Sequence, residues 1–365
     1  MKHIVHVVGA RPNFMKVAPV EAALSRRGGI RQTIVHTGQH YDANMSEVFF
    51  RQLGIPEPDI NLEVGSGSHA LQTAEIMKRF EGPVLELRPD LVLVYGDVNS
   101  TVAASLVSAK LGVAVGHVEA GLRSRDWSMP EEINRVVTDR LADLLFTPSA
   151  DGDENLLAEG VPPERIHRVG NVMIDTLVRL LPMAEQSDAR AALGLDDTLF
   201  GVVTLHRPAN VDGVEALTRI LATLDDLSAR LPLVFPVHPR TREQVAAAGF
   251  EASNLRLVEP LGYVDFLALQ RAATLVITDS GGVQEETTYL GVPCFTVRPN
   301  TERPITIEQG TNELVGNDMD KLRAGVDRVL DGQRRASSVP ELWDGKAAER
   351  IAAILTDWAG STPRG

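Results

Sequence analysis

Ten short β-rich runs, separated by helical patterns, constrain the fold of this chain more than any other feature. The first five are His3–Val8, Gln32–Thr37, Leu91–Tyr95, Ala114–Glu119 and Leu144–Thr147. The second five are Phe200–Leu205, Leu233–Val237, Leu255–Val258, Thr274–Thr278 and Pro293–Val297. Between them Phe14–Arg26, Thr101–Leu111, Glu131–Leu141, Val214–Ala229 and Asp265–Ala272 read as helices. Near-continuous apolar strands alternating with helices specify α/β architecture, with parallel sheets covered on both faces. A chain of 365 residues exceeds one ordinary core, so the strands are expected to divide into two doubly wound domains. A single (β/α)₈ barrel is the alternative, which ten rather than eight strand candidates disfavour. Asn171–Leu199 carries no strand candidate and holds the boundary. The expected domains are therefore residues 1–170 and 171–344, with a final helical segment, 345–360, packing back on the first. Ligands of such sheets bind beyond the carboxyl ends of the strands, so two facing domains share one cleft.

Composition narrows the partners. No apolar run approaches the ~20 residues of a membrane span, and MKHIVHVVGARP reads as a strand rather than a signal peptide. The cytoplasm is the expected compartment. A net charge of −13 disfavours nucleic acid or an anionic membrane as a partner, so an anionic ligand has to be met by a local basic cluster. The single cysteine, Cys294, sits in the apolar run Val292–Val297 and is expected to be a buried small hydrophobe.

The segment TLVITDSGGVQEETTYL, residues 274–290, is the most informative motif. An apolar run ends in Asp279-Ser280-Gly281-Gly282 and a helical stretch begins at once. Strand, glycine turn and helix aim backbone N–H groups and a helix N-terminus at a phosphate. Gly281 and Gly282 permit close approach, and Ser280 adds a hydroxyl. Glu286, one turn into the helix, is placed to accept hydrogen bonds from ribose hydroxyls. The motif reads as a nucleotide site.

Other chemistry-bearing residues also follow strands. Gly9-Ala10-Arg11-Pro12-Asn13-Phe14-Met15-Lys16 offers Arg11 in the turn and Lys16 one helical turn inside. Asp97 stands at the mouth of the third strand, where it also suits a plain turn. His117 and Glu119, two apart on a strand, are expected to face the same side. Pro130-Glu131-Glu132 opens a helix in the favoured order, with Arg135 on the same face as a possible ion-pair partner. His206-Arg207 follows the first strand of the second half, as an acid and a countercharge for a leaving oxygen. His238 and Arg303 follow later strands. Gly65-Ser66-Gly67-Ser68-His69-Ala70 matches a dinucleotide pattern by letter but follows the polar run Asp59–Val64, so NAD is not expected there. His36 and His40 lack a third ligand, and no metal is expected.

Taken together, Gly9–Lys16, Thr37–His40, Gly96–Thr101, His117–Arg123, Pro130–Arg135, His206–Asn210, Asp279–Glu286 and Thr301–Pro304 resemble the non-hydrolysing UDP-N-acetylglucosamine 2-epimerases. Eight ordered motifs between residue 9 and about 310 carry the resemblance. It implies two Rossmann-like domains of the glycosyltransferase-B type, a homodimer, no cofactor and no metal. It also implies inversion at C2 of UDP-GlcNAc, through elimination of UDP to 2-acetamidoglucal and re-addition, in the supply of cell-surface polysaccharide precursors. Asp97, Glu119, Glu131 and His206 match catalytic positions of the family. Arg11, Lys16, Arg135, Arg207, His238, Ser280, Gly281, Gly282, Glu286 and Arg303 match positions that contact or support the UDP-sugar.

The chain departs from the pattern in places. Tyr95 stands where many members have His, and Ala209 where Glu is common. Tyr41–Phe50 lacks evident counterparts of the glutamines that bind an activating second UDP-GlcNAc in regulated members. Its HTGQHYDANMSEVFF style is also similar to epimerases of UDP-2,3-diacetamido-glucuronate.

Overall fold

Two parallel sheets organise the computed structural model, which describes residues 1–39, 54 and 57–360. The first contains β1 (Lys2–Val8), β2 (Ile30–His36), β3 (Ile60–Asn61), β4 (Leu91–Tyr95), β5 (Ala114–Val118), β6 (Leu144–Thr147) and β7 (Ile166–Arg168). They lie in the order β3-β2-β1-β4-β5-β6-β7. The second contains β8 (Gly201–Thr204), β9 (Leu233–Pro236), β10 (Arg256–Val258), β11 (Leu275–Thr278), β12 (Cys294–Thr296) and β13 (Asn312–Leu314). Their order is β10-β9-β8-β11-β12-β13. Every pairing in both sheets is parallel. The order reverses between β1 and β4 in one sheet and between β8 and β11 in the other, the switch points at which doubly wound sheets bind ligands. Each unit is thus Rossmann-like, and two such units in one chain are the make-up of the glycosyltransferase-B type.

The contacts within the chain divide it at Thr176, inside the helix Val172–Glu185, and again at Glu341. The first unit runs to Thr176 and takes in the chain from Glu341 onward; the second is Leu177–Pro340. The helix Ala347–Asp357 joins the first unit through named bonds. Its first N–H groups, those of Ala347 and Ala348, donate to the Asp175 carboxylate at 3.0 and 2.7 Å. Lys2 Nζ donates to the carbonyls of Leu355 and Thr356 near its other end, and Trp343 Nε1 donates to the Pro148 carbonyl.

Apolar periodicity builds the cores. In the second unit Leu217, Ile220, Leu221 and Leu224 recur at helical spacing on the helix Val214–Ser228 and pack with Val203, Phe235 and Ile277. In the first, Val5, Val7, Val92, Val94 and Val115 supply the sheet's share. Each such side chain contributes about 1.5–3 kcal/mol on burial. The sheets hold three strands beyond the ten read from sequence: β3, β7 and β13. These are two- or three-residue strands with polar members such as Asn61, His167 and Glu313, too short to show an apolar run. Cys294 is buried, and desolvation pushes its thiol up to about 12. Among the described residues no helix is long and apolar enough to cross a membrane. His40 and Tyr41–Phe50 lie outside the described residues.

Candidate active site

In the first unit the site is assembled from the turns that follow β1, β4 and β5. After β1 the chain bends into the helix Arg11–Arg27. The N–H groups of Gly9 and Ala10 both donate to Asn13 Oδ1, and Asn13 Nδ2 donates to the Tyr95 carbonyl at the end of β4. Asn13 thereby ties the turn after β1 to the turn after β4. Arg11 begins the helix, and its side chain lies outside the described residues. Lys16 is 5% exposed and forms an ion pair with Glu119. Gly96, at φ 61°, lies beneath that pair: a Cβ there would sit 2.7 Å from Lys16 Nζ and 3.8 Å from Glu119 Oε2.

Glu119 differs from its expected placement. β5 ends at Val118, and Glu119 takes a left-handed backbone conformation, φ 75°. Strand alternation therefore stops before it, and it does not continue the face of His117. His117 is instead fully buried, with Nδ1 2.6 Å from Asp139 and Nε2 2.8 Å from the Gly96 carbonyl. A non-glycine residue in this region costs roughly 1–2 kcal/mol, which marks the turn as one held by its surroundings.

Asp97, half-buried, pairs with Arg135 from the helix Pro130–Leu141. Arg135 also bonds Glu132 through two nitrogens, at 3.0 and 2.7 Å. Asn134 Nδ2 donates to the Asp97 carbonyl at 2.8 Å. Glu132 further accepts from the N–H groups of Ser124 and Arg125. Burial alone would push its carboxyl up; the bonds from Ser124, Arg135 and Arg125 outweigh that and bring it below the usual range. The neighbouring Glu131 is half-buried, and its side chain carries no hydrogen bond or ion pair among the described residues. Of two adjacent glutamates, one is committed to the scaffold and the other is left available.

In the second unit the turns after β8 and β11 lie side by side, because Thr204 and Thr278 are partners in neighbouring strands. Asp279 is fully buried between them. It accepts from the N–H groups of His206 and Arg207 and from Asn210 Nδ2, and His206 Nδ1 stands 2.9 Å from its Oδ1. Burial pushes its carboxyl up, but the bonds from His206, Asn210 and Arg207 overcome this and hold it below the ordinary range. Arg207 Nε donates to the Asp279 carbonyl. Ser280 occupies the N-cap of the helix Gly281–Leu290 without using its side chain as a cap. Its hydroxyl and the first N–H groups of that helix therefore remain to serve an anion.

Gly281 admits a cation to the same turn, since a Cβ there would lie 2.5 Å from Arg303 Nη1. Arg303 is held from behind by Glu285, at 2.6 Å, and by Glu302. Glu302 is held in turn by Arg298. Gly282 is half-buried beside it. Glu286 is buried and accepts from the Tyr263 hydroxyl at 2.8 Å. His238 follows β9 and is exposed.

The structure thus gathers Lys16, Asp97, Glu119 and Arg135 in one unit and His206, Arg207, Ser280, Gly281 and Arg303 in the other. Asn13, Asp279, Tyr263, Glu285 and Glu302 hold roles that the sequence did not assign, whereas the ion pair of Arg135 with Glu132 is one that their spacing anticipates. Asp279 had a visible signal, a carboxylate at a strand end inside the most informative motif. Tyr263 and Glu285 are recognised only by partners 23 and 18 residues away, while Asn13 and Glu302 also bond close neighbours in the sequence. Among the described residues no group of three or more His, Cys, Asp or Glu side chains is placed to hold a metal ion.

The family model for UDP-N-acetylglucosamine 2-epimerase matches residues 22–356. The UDP-N-acetylglucosamine 2-epimerase of Methanocaldococcus jannaschii is 41% identical over 96% of this chain and 98% of its own. The UDP-2,3-diacetamido-2,3-dideoxy-D-glucuronate 2-epimerase of Pseudomonas aeruginosa is 40% identical over 96% of this chain and 99% of its own. A crystal structure of the M. jannaschii UDP-GlcNAc 2-epimerase with UDP-GlcNAc and UDP superposes with a TM-score of 0.89, at 41% identity, covering 98% of this chain and 99% of that one.

Proposed function

From the premise that this chain belongs to the UDP-N-acetylglucosamine 2-epimerase family, we propose that it interconverts UDP-GlcNAc and UDP-ManNAc. The observation that carries this is a pair of carboxylates, Asp97 and Glu119, at the carboxyl ends of adjacent strands, each paired with a buried cation.

The chemistry explains why such a set is required. The C2 proton of the sugar is not next to a carbonyl, so a carboxylate cannot remove it directly at a useful rate. Breaking the C1–O bond first sends its electron pair to the departing UDP and leaves an oxocarbenium-like centre that acidifies C2–H. Loss of that proton gives 2-acetamidoglucal. Addition of UDP back to C1, with a proton delivered to the opposite face of C2, completes the inversion.

Departure of a diphosphate calls for preorganised donors, worth several kcal/mol in such sites. Ser280, Gly281, Gly282 and Arg303 supply them, with Glu286 on the ribose and Arg207 and His238 in support. His206 protonates the leaving oxygen. Proton transfer on two faces of C2 calls for more than one carboxylate, and Asp97, Glu119 and Glu131 fill this role. Lys16 and Arg135 set the charge and orientation of Glu119 and Asp97, and Arg11 joins the phosphate cations. The reading includes a cytoplasmic homodimer without metal or cofactor, feeding polysaccharide synthesis; the family resemblance supports these parts.

The near-equal identity to the diacetamido-glucuronate enzyme favours one second reading, the same inversion on that uronate. Proton NMR in D₂O with each UDP-sugar tests both. Deuterium at C2 together with UDP-ManNAc supports the first. Free ManNAc with UDP means a hydrolysing enzyme. Turnover of the uronate alone selects the second reading, and turnover of neither sinks both.

A further inference from the structure

We infer that Asp279 is a positioning residue for His206, holding the imidazole as its Nδ1–H tautomer and so making Nε2 the nitrogen that exchanges a proton with the leaving phosphate oxygen. The role of Nε2 rests on the epimerase reading above; the tautomer rests on geometry alone.

The strand register creates the contact. β8 and β11 are parallel neighbours with Thr204 opposite Thr278, so the residue after β11 lies against the turn after β8. Asp279 fills that place, fully buried, with both oxygens turned to the turn. Oδ1 and Oδ2 each receive the His206 N–H at 3.1 Å. Oδ2 also receives the Arg207 N–H and Asn210 Nδ2, both at 2.9 Å. These donors suit an ionised carboxylate, and they keep its proton affinity low despite burial. Such a group has only lone pairs to offer. His206 Nδ1 lies 2.9 Å from Oδ1, a separation at which two lone pairs would repel. Nδ1 therefore carries a proton. In the neutral ring that leaves Nε2 with its lone pair, on a side chain that is 57% exposed and has no other partner among the described residues.

This fixes the direction of proton traffic. When the ring is an imidazolium, Nε2–H gives its proton to the oxygen that takes the C1–O electron pair, and the ring returns to the Nδ1–H form. Re-addition runs the same transfer backwards. The Nδ1 proton stays with Asp279 throughout. The Asp279 carbonyl also accepts from Arg207 Nε, and Ser280 is the next residue. One residue thus joins the proton donor to the turn proposed for the diphosphate.

The test is two-bond ¹⁵N–¹H correlation NMR of the full-length protein labelled with ¹⁵N-histidine, at a pH where His206 is neutral, with His206→Gln assigning the signal. A protonated Nδ1 and an unprotonated Nε2 are expected. Asp279→Asn, which can turn a donor toward Nδ1, is expected to convert the ring to Nε2–H. It should also lower kcat roughly 10²–10⁴-fold, with little change in KM and an unchanged far-UV circular dichroism spectrum. An Nε2–H ring in the unmodified protein overturns the inference, whatever the activity, and does so even if the variant fails to fold. Retained Nδ1–H and unchanged kcat in Asp279→Asn overturn it as well. An Nδ1–H ring in a protein that turns over no UDP-sugar supports the tautomer and refutes only the epimerase reading.

Discussion

Lys16 and Glu119 form an ion pair whose two side chains are both buried, one from the first helix and the other from the turn after β5, and they meet above Gly96. Neither charge has water to fall back on, and the pairing offsets the lost solvation of both. Lys16→Met leaves a buried carboxylate without its cation, and stability is expected to fall by about 3–5 kcal/mol. Urea unfolding measures this; a loss under 1 kcal/mol would show that the pair does not bear on the fold.

Gly96→Ala perturbs the same place without removing a charge. The new Cβ would lie 2.7 Å from Lys16 Nζ, at a backbone φ of 61°. The backbone cost alone is about 1–2 kcal/mol. Epimerase activity is expected to drop more than the modest loss of melting temperature would account for. Unchanged kcat would mean that Lys16 relocates freely.

Glu131 and Glu132 are expected to respond in opposite ways. Glu131→Gln touches no bond among the described residues, so its stability should match the parent, while kcat falls by roughly 10²–10⁴. Glu132→Gln breaks bonds to Arg135, Ser124 or Arg125 and should lose about 2–4 kcal/mol. Paired steady-state kinetics and calorimetry on the two variants decide this, and equal stability losses would contradict it.

Gly281→Ala should weaken nucleotide binding selectively. Its methyl group would lie within 3 Å of both Arg303 Nη1 and Glu302 Oε1, neither of which can move far in a buried network. Displacing Arg303 is expected to raise the Kd for UDP by about 10-fold or more, the equivalent of 1.4 kcal/mol. Isothermal titration with UDP reads it directly; an unaltered Kd would remove Arg303 from the phosphate site.

Asp175 makes stability depend on pH. Burial raises its carboxyl to about 6, although it accepts from the Ala348 and Ala347 N–H groups. A folded value above the unfolded one means that the native state binds this proton more tightly. The contribution is full below about pH 4 and is lost as pH rises through about 6. Asp175→Asn cannot titrate, so the stability difference between the two proteins should change by up to about 3 kcal/mol across this window. Parallel pH profiles of the two proteins would refute the assignment.

The strands that carry the site are legible because they are largely buried on both faces and read as near-continuous apolar runs, as in Leu91–Tyr95 and Leu275-Val276-Ile277. The short strands β3, β7 and β13 carry no such signal. Alternation predicted a shared face for His117 and Glu119 and failed, because the strand stops between them and Glu119 turns left-handed.

From its sequence alone this chain shows two parallel α/β units, a nucleotide-type turn at residues 279–282, and a set of carboxylates and cations placed after strands. These follow from local physics: side-chain periodicity, glycine turns and helix starts operate over a few residues. The division of labour belongs to tertiary structure. Arg135 and Asp97 are 38 residues apart, and Arg207 and Asp279 are 72 apart. Strand pairing brings Arg207 to Asp279, and the packing of the helix Pro130–Leu141 beside the turn after β4 brings Arg135 to Asp97. Tertiary packing of strands, turns and helices decides which glutamate is scaffold, which arginine is committed, and which histidine nitrogen faces outward.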